Sequence, residues 1–297
     1  KLAFTDTHYR VLVMDMETGD VQHVDTDRYA HPERTMNPVW SPDSRFIAYA
    51  QRLDTQLRVI IAYDTETGTR HRLTDGMADA ITPVWDASGD YLYFLASTDF
   101  GLNTGWLDMT SYDRPITRAL YAAILSADGT SPFLPLSDEE AADGTDVAGE
   151  GEVSVTIDVD GIADRIVAAP NLPLRNYTGL LSAPEGHVFV TESVPNQSGA
   201  TVHRYSLEER ESTEYATGVA IATVSEDRST ILHRSGSTWR ATETAGPVPS
   251  NSDGRLALGD LRIRIDPTRE WSQMLRDGWR FMRDFLYVDN QHGAPWD

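Results

Sequence analysis

The sequence predicts an all-β protein, a β-propeller of four-stranded blades, followed by a short α-helical segment that begins a second domain. Three observations support this prediction. A strand–turn–strand block recurs four times, a second hairpin pattern follows it, and a helical pattern replaces both near the end of the chain. Two hairpins in each repeat make one four-stranded blade.

The recurring block is an apolar strand, a turn rich in Ser, Pro, Asp or Gly, and a second apolar strand, which is typical of a β-hairpin. Its copies occupy residues 39–49, 84–94, 180–190 and 223–233. Ser41 and Asp86 lie 45 residues apart, and Ser182 and Ser225 lie 43 apart. This spacing is typical of a propeller blade.

The second pattern is an outer hairpin with a glycine in its turn. It appears at residues 63–68, which lead into 72–74, and earlier at residues 14–19. A later copy spans residues 157–161 and leads into 165–167. Together with the first block, each copy predicts the outer half of a blade.

Asp86 and Ser182 are 96 residues apart, about two repeats. Either a degenerate blade or a long insertion fills this gap, and the sequence favours an insertion. Residues 120–125 and 132–136 can form a hairpin, but no inner-strand block precedes them. Residues 128–152 hold eight acidic side chains and no basic one, which predicts a mobile, solvated loop. Its spacing lacks the pattern of a calcium loop.

The helical pattern begins at Asp266 and Pro267, which suit an N-cap and a first helical position. Apolar residues then recur at steps of three and four at Trp271, Met274, Leu275, Trp279, Met282, Phe285 and Leu286. We therefore expect blades over residues 1–265, with the acidic insertion at 128–152, and a helical domain beginning at 266–297. So short a segment cannot bury this stripe alone, so we expect a packing partner and a longer polypeptide.

The composition excludes several function classes. The 297 residues carry 46 acidic and 25 basic side chains, a net charge of −21, so nucleic acid and anionic membranes are not expected partners. No cysteine is present, which excludes disulfides and a thiolate nucleophile in this segment. Lys1 is the sole lysine. Both a codon bias toward arginine and adaptation to high salt remain open explanations.

No known catalytic motif is visible. The sequence contains no nucleophile elbow, no zinc-binding HExxH motif and no phosphate-binding glycine loop. We interpret the scattered histidines as surface or structural residues: His23, His31, His71, His187, His203 and His233. Asn176 and Asn196 match the glycosylation sequon, as expected by chance. We therefore expect no catalytic residue, no cofactor and no metal site in this segment.

The repeated hairpin resembles those of TolB, prolyl oligopeptidases and tricorn proteases. Three further stretches narrow the resemblance to tricorn protease homologues. They are residues 98–109, residues 157–167, and a final stretch with Asp266-Pro267, Glu270-Trp271, Trp279-Arg280, residues 282–285, His292-Gly293 and Trp296-Asp297. The final stretch is similar to the junction between the seven-bladed second propeller and the first core subdomain.

This resemblance implies a cytosolic serine peptidase that degrades oligopeptides. The family has two propellers, a core in two halves, an intervening PDZ-like domain and a hexameric assembly. The catalytic Ser and His would lie beyond residue 297, so this segment alone is expected to be inactive. Four to five blades are visible instead of seven.

The implied role of the segment is substrate gating. Innermost strands near residues 82–85, 177–181 and 219–224 would surround a channel that admits unfolded peptides. The acidic surface would bias which peptides enter.

The sequence leaves two other functions open. A non-enzymatic TolB-like scaffold for protein binding explains the hairpins but not the helical end. The propeller lid of a prolyl oligopeptidase would lead into an α/β-hydrolase, and residues 271–287 do not resemble its beginning. The next hundred or so residues would distinguish these alternatives.

Overall fold

The computed structural model describes residues 1–29, 36–99, 116–134, 153–288 and 290–295. Within these ranges the chain is built almost entirely of antiparallel strands, and one long helix follows them. The strands are β1 (Leu2–Thr5), β2 (Arg10–Met14), β3 (Val21–Thr26), β4 (Val39–Trp40), β5 (Phe46–Arg52), β6 (Arg58–Asp64), β7 (Thr69–Arg72), β8 (Asp79–Trp85), β9 (Tyr91–Ser97), β10 (Ala119–Ile124), β11 (Ile166–Ala168), β12 (Tyr177–Ser182), β13 (His187–Glu192), β14 (Ala200–Ser206), β15 (Glu211–Val224), β16 (Thr230–Ser235) and β17 (Thr238–Glu243). The helix α1 spans Pro267–Phe285.

The strands form four sheets in which neighbours along the chain are also neighbours in space. β1–β3 form the first sheet, β4–β7 the second and β8–β11 the third, while β12–β17 form one six-stranded sheet. The first strands of successive sheets touch: β8 contacts both β4 and β12, and β12 contacts β15. This arrangement confirms the predicted fold of propeller blades.

The six-stranded sheet consists of two blades that share strand β15. Its residues 211–216 pair with β14, whereas residues 221–224 pair with β16. Val219 pairs with both neighbouring strands. β15 is therefore the outer strand of the fourth blade and the inner strand of the fifth. The described residues contain three complete blades and parts of two others.

The long gap between repeats falls within the third blade. Between Asp86 and Ser182, the described residues contain β9, β10 and β11 of the third sheet before β12 begins the next one. The acidic insertion at 128–152 stays a prediction. The hairpin predicted for residues 120–125 and 132–136 is wrong, because β10 pairs with β9 on one edge and with β11 on the other. Residues 132–134 form no strand, and 135–136 lie outside the described residues.

The predicted outer hairpin at residues 157–167 is half correct. Its second strand exists as β11, but residues 157–161 form no strand. β10 already takes the position of the third strand in this blade, and the Asp158 N–H donates to the Leu125 carbonyl just beyond β10. The predicted loop at 128–152 is described only to residue 134, and most of residues 98–109 lie outside the described ranges.

Hydrophobic clusters lie between adjacent blades. On β5, Phe46, Ala48 and Ala50 pack toward the third blade, whereas Ile47 and Tyr49 pack toward the first. The alternation follows from the two-residue period of a strand. Both faces of the sheet are buried, which explains why residues 46–50 form a nearly continuous apolar run.

Helix α1 begins where the sequence predicted. The Asp266 carboxylate accepts hydrogen bonds from the Thr268 N–H (3.2 Å) and the Arg269 N–H (3.4 Å), and Pro267 occupies the first turn. Much of the apolar stripe is exposed: Trp271 is 66% exposed and Leu275 is 78% exposed. No helix in the described ranges has both the length and the apolar character needed to cross a membrane.

Candidate functional site

The turns between the first two strands of four successive blades surround a cavity of about 990 Å³. We call it the mouth cavity. The turns come together because the first strands of these blades lie side by side around the propeller centre. The lining residues are Lys1, Trp40, Ser41, Pro42, Ser44, Ala87, Val153, Pro184, Glu185, Glu226, Asp227 and Arg228.

The turns of the second and fifth blades use the same hydrogen bonds. In the second blade, Ser41 Oγ donates to Asp43 (2.5 Å) and accepts the Phe46 N–H (2.8 Å). In the fifth blade, Ser225 Oγ donates to Asp227 (2.5 Å) and accepts the Thr230 N–H (3.0 Å). These side-chain hydrogen bonds add to the backbone hydrogen bonds within each turn and fix its shape.

The third loop residue of each turn adopts left-handed backbone geometry. The φ angles are 59° at Ser44, 82° at Gly89, 71° at Gly186 and 58° at Arg228. Glycine adopts this conformation at little cost, whereas residues with a Cβ disfavour it. The four turns therefore share a left-handed residue at this position but differ in its side chain.

Two turn aspartates connect one blade to the next. Asp43 accepts the Val155 N–H of the third blade at 2.8 Å. Asp86 accepts the Gly186 N–H of the fourth blade at 3.3 Å and the Tyr93 hydroxyl at 2.9 Å. Burial, together with the negative charge of Asp86, raises the pKa of Tyr93 well above its usual value. These contacts hold neighbouring turns in register around the mouth cavity.

The charges at the mouth are mixed. Hydrogen bonds from Ser225 and Ser229 hold the pKa of Asp227 below its usual value. Burial lowers the pKa of Arg228, and the negative charge of Asp86 partly opposes this effect. Glu185 is an exposed acid of the fourth-blade turn. The cavity therefore combines acidic side chains at its rim with a partly buried guanidinium.

The sequence identified the right blades but not the residues around the cavity. The predicted channel segments 82–85, 177–181 and 219–224 belong to the strands β8, β12 and β15, yet none of their residues lines the mouth cavity. The turns that follow them do. The turn composition was visible in the repeat, but four segments so distant in sequence gave no sign that they converge.

The histidines lie apart from the mouth. His203 is buried and its Nε2 lies 2.7 Å from Glu192. Burial lowers the pKa of His233, and its Nδ1 has no hydrogen-bond partner among the described residues. His31 lies outside the described residues. In the part of the chain that the structure describes, no cluster of three or more His, Asp or Glu side chains could hold a metal ion.

The fold and the mouth define a multi-bladed β-propeller that leads into a helical segment. Residues 1–245 match the family model described as the tricorn protease second beta propeller domain, and residues 267–297 match the tricorn protease C1 domain. The chain belongs to the tricorn protease family and is a segment of a tricorn-type protease.

Similar proteins include several tricorn protease homologues. The chain is 24% identical to a tricorn protease homolog of Saccharolobus solfataricus, covering all of this chain and 27% of the relative. It is also 24% identical to tricorn protease homolog 1 of Streptomyces coelicolor, over 97% of this chain and 28% of the relative. The chain thus spans just over a quarter of the length of these relatives.

Solved structures agree on the fold. The crystal structure of the tricorn protease superposes with a TM-score of 0.72 at 16% identity, covering 95% of this chain and 27% of that one. TolB from Acinetobacter baumannii gives a TM-score of 0.50 at 16% identity, covering 83% of this chain and 50% of that one. At these identities the likeness concerns the fold alone.

Proposed function

We propose that this chain is the substrate-gating propeller segment of a cytoplasmic serine-type peptidase that degrades oligopeptides. The mouth cavity, framed by the turns of four blades, is the observation that carries the proposal. Membership of the tricorn protease family supports a role for this opening in a peptidase. The catalytic residues of the proposed enzyme lie outside this segment.

The size of the cavity supports gating. A volume of about 990 Å³ falls at the upper end of the range of small-molecule pockets, roughly 300–1,000 Å³. Such an opening holds a few residues of an extended peptide. A folded domain of about 100 residues has a radius of gyration near 13 Å and cannot enter. The proposed gate therefore selects for unfolded or short substrates.

We also propose that residues 266–297 begin the core domain. The exposed apolar stripe of α1, with Trp271 and Leu275, would be buried against the core of the same chain in a hexameric enzyme. The match of residues 267–297 to the C1 domain supports this assignment. A TolB-like scaffold accounts for the blades but offers no partner for the stripe, so it is the weaker alternative.

The test uses the full-length enzyme with a bulky group at the mouth. Glu226→Cys lies in the cavity rim, and Met77→Cys lies on an exposed turn outside it. Both variants, in a background without other reactive cysteines, are labelled with a polyethylene glycol maleimide. We expect labelling at residue 226 to slow cleavage of peptides of ten or more residues relative to short ones, and labelling at residue 77 to change neither rate.

Two results would contradict the proposal. Equal cleavage of long peptides by both labelled variants would exclude gating at this opening. Cleavage that resists a serine-directed inhibitor would exclude the serine mechanism. We further expect residues 1–297 alone to show no peptidase activity on short fluorogenic peptides.

A further inference from the structure

Arg228 is the exception among the four turns of the mouth cavity. Where the second, third and fourth blades carry Ser44, Gly89 and Gly186, the fifth blade places a long cationic side chain in the same left-handed conformation. A residue with a Cβ adopts this conformation reluctantly, and glycine is the usual choice. The arginine therefore needs an explanation.

The turn itself does not require an arginine. Its hydrogen bonds come from Ser225, Asp227 and Ser229, and Arg228 contributes only its backbone N–H and carbonyl. The same turn geometry exists in the second blade with a serine at this position. The side chain of Arg228 is thus not explained by local folding.

The guanidinium of Arg228 lacks a partner within the described ranges of the chain, where no hydrogen bond or ion pair involves it. The side chain of Arg228 is only partly exposed to water, and this burial lowers its pKa. The nearby Asp86 is already occupied by Tyr93, Ser88 and Gly186. A half-buried cation that forms no ion pair with a described acid has donors available to a ligand in the cavity.

We propose that Arg228 binds a carboxylate of a peptide entering the mouth cavity. The inference rests on the proposed gating function and names the chemistry that the gate recognises. The planar fork of a guanidinium matches a carboxylate with two parallel hydrogen bonds. Glu185 and Glu226 at the same rim oppose ligands with several negative charges. The gate therefore favours peptides that present a single carboxylate to the cavity, either at the C-terminus or on one acidic side chain.

The test is peptide binding to the full-length protein after treatment with a serine-directed inhibitor. Three fluorescein-labelled peptides share one uncharged sequence: a free C-terminal acid, its amide, and the amide with one Gln replaced by Glu. Fluorescence anisotropy at low salt gives each Kd. We expect the acid form, the Glu form or both to bind about tenfold more tightly than the plain amide. The two arms distinguish terminal from side-chain carboxylates.

Arg228→Gly removes the cation and relieves the backbone strain, so it should fold with a Tm no lower than that of the wild type and lose the preference. Arg210→Gly is the matched control, because Arg210 also has a left-handed φ of 54° but lies outside the cavity. It should keep the preference.

An unchanged preference in Arg228→Gly would overturn the inference even if the enzyme cleaves peptides. A preference that depends on Arg228 in a protein that cleaves none would instead refute the proposed function and leave the binding site standing.

Discussion

Removing the carboxylate of Asp79 should destabilise the propeller strongly, because this group joins three blades. Asp79 is 1% exposed and begins β8 of the third blade. It accepts three hydrogen bonds from Arg58 of the second blade, from the backbone N–H (3.1 Å), Nε (2.8 Å) and Nη2 (2.5 Å). Arg118 lies 3.8 Å from the same carboxylate and donates to the Tyr177 carbonyl of the fourth blade at 3.0 Å.

The expected magnitude follows from burial. Asp79→Ala leaves two guanidinium groups without this acid, and the side chains of Arg58 and Arg118 are only 13% and 7% exposed. Breaking a buried ion pair by removing one partner costs about 3–5 kcal/mol. For a protein of this size, each kcal/mol corresponds to about 2–4 °C in Tm. We therefore expect a fall in Tm of about 10 °C.

The measurement is urea denaturation and differential scanning calorimetry of the full-length protein. Asp54→Ala is the matched control, because the Arg28–Asp54 ion pair also joins two blades but its side chains are 54% and 77% exposed. Exposed pairs contribute about 0–1 kcal/mol. If Asp79→Ala lost no more stability than Asp54→Ala, the idea that this buried acid holds the blades together would be wrong.

Three further predictions concern stability and use the same denaturation assay. Asp43→Ala should lower the free energy of unfolding by about 1–3 kcal/mol more than Asp227→Ala, because Asp43 accepts an N–H from the next blade and Asp227 accepts one only from its own turn. Equal losses would contradict this. Gly199→Ala should lower the free energy of unfolding more than Gly186→Ala. Both substitutions put a Cβ on a left-handed residue, a strain of about 1–2 kcal/mol, but a Cβ at 199 would also lie 2.6 Å from a backbone atom, whereas a Cβ at 186 meets open space. A larger loss for Gly186→Ala would refute the clash. Burial raises the pKa of Asp64, but hydrogen bonds from an arginine and two backbone N–H groups outweigh this and hold it at about 2, below its ordinary 3.8. The stabilisation by the ionised carboxylate is present above pH 4 and is lost as the pH falls toward 2. Between pH 5 and pH 2, the free energy of unfolding of the wild type should therefore fall by about 2 kcal/mol more than that of Asp64→Asn. Parallel pH curves for the two proteins would refute this.

The sequence predicted the blades well because their physics is local. Ser41 and Asp43 brace a turn between two apolar strands, and the same arrangement returns at Ser225 and Asp227. Asp266 and Pro267 likewise predict the start of α1 from two adjacent residues alone. Such signals need no knowledge of distant segments.

The sequence missed features that depend on tertiary contact. Residues 157–161 resemble a strand, but β10 takes that place in the blade from the far side of the predicted acidic insertion. The length of β15 was also missed: the strand runs through Gly218, whose φ is 64°, because its first half pairs with β14 and its second half with β16. Arg228 belongs to the weakest copy of the repeat, and only the convergence of four turns gives its side chain a role.

The continuity of β15 makes the fourth and fifth blades a single unit of opening. Between the second and third blades and between the third and fourth, a loop separates the two sheets, so one can fray without disturbing the pairing of the next. Here the strand that closes one blade also starts the other, and separating β14 from β15 would loosen the ladder with β16. The slow amide protons of both blades should therefore exchange with a common free energy of opening, as expected of one foldon. This boundary also offers no loop in which a protease could cut or an insertion could settle.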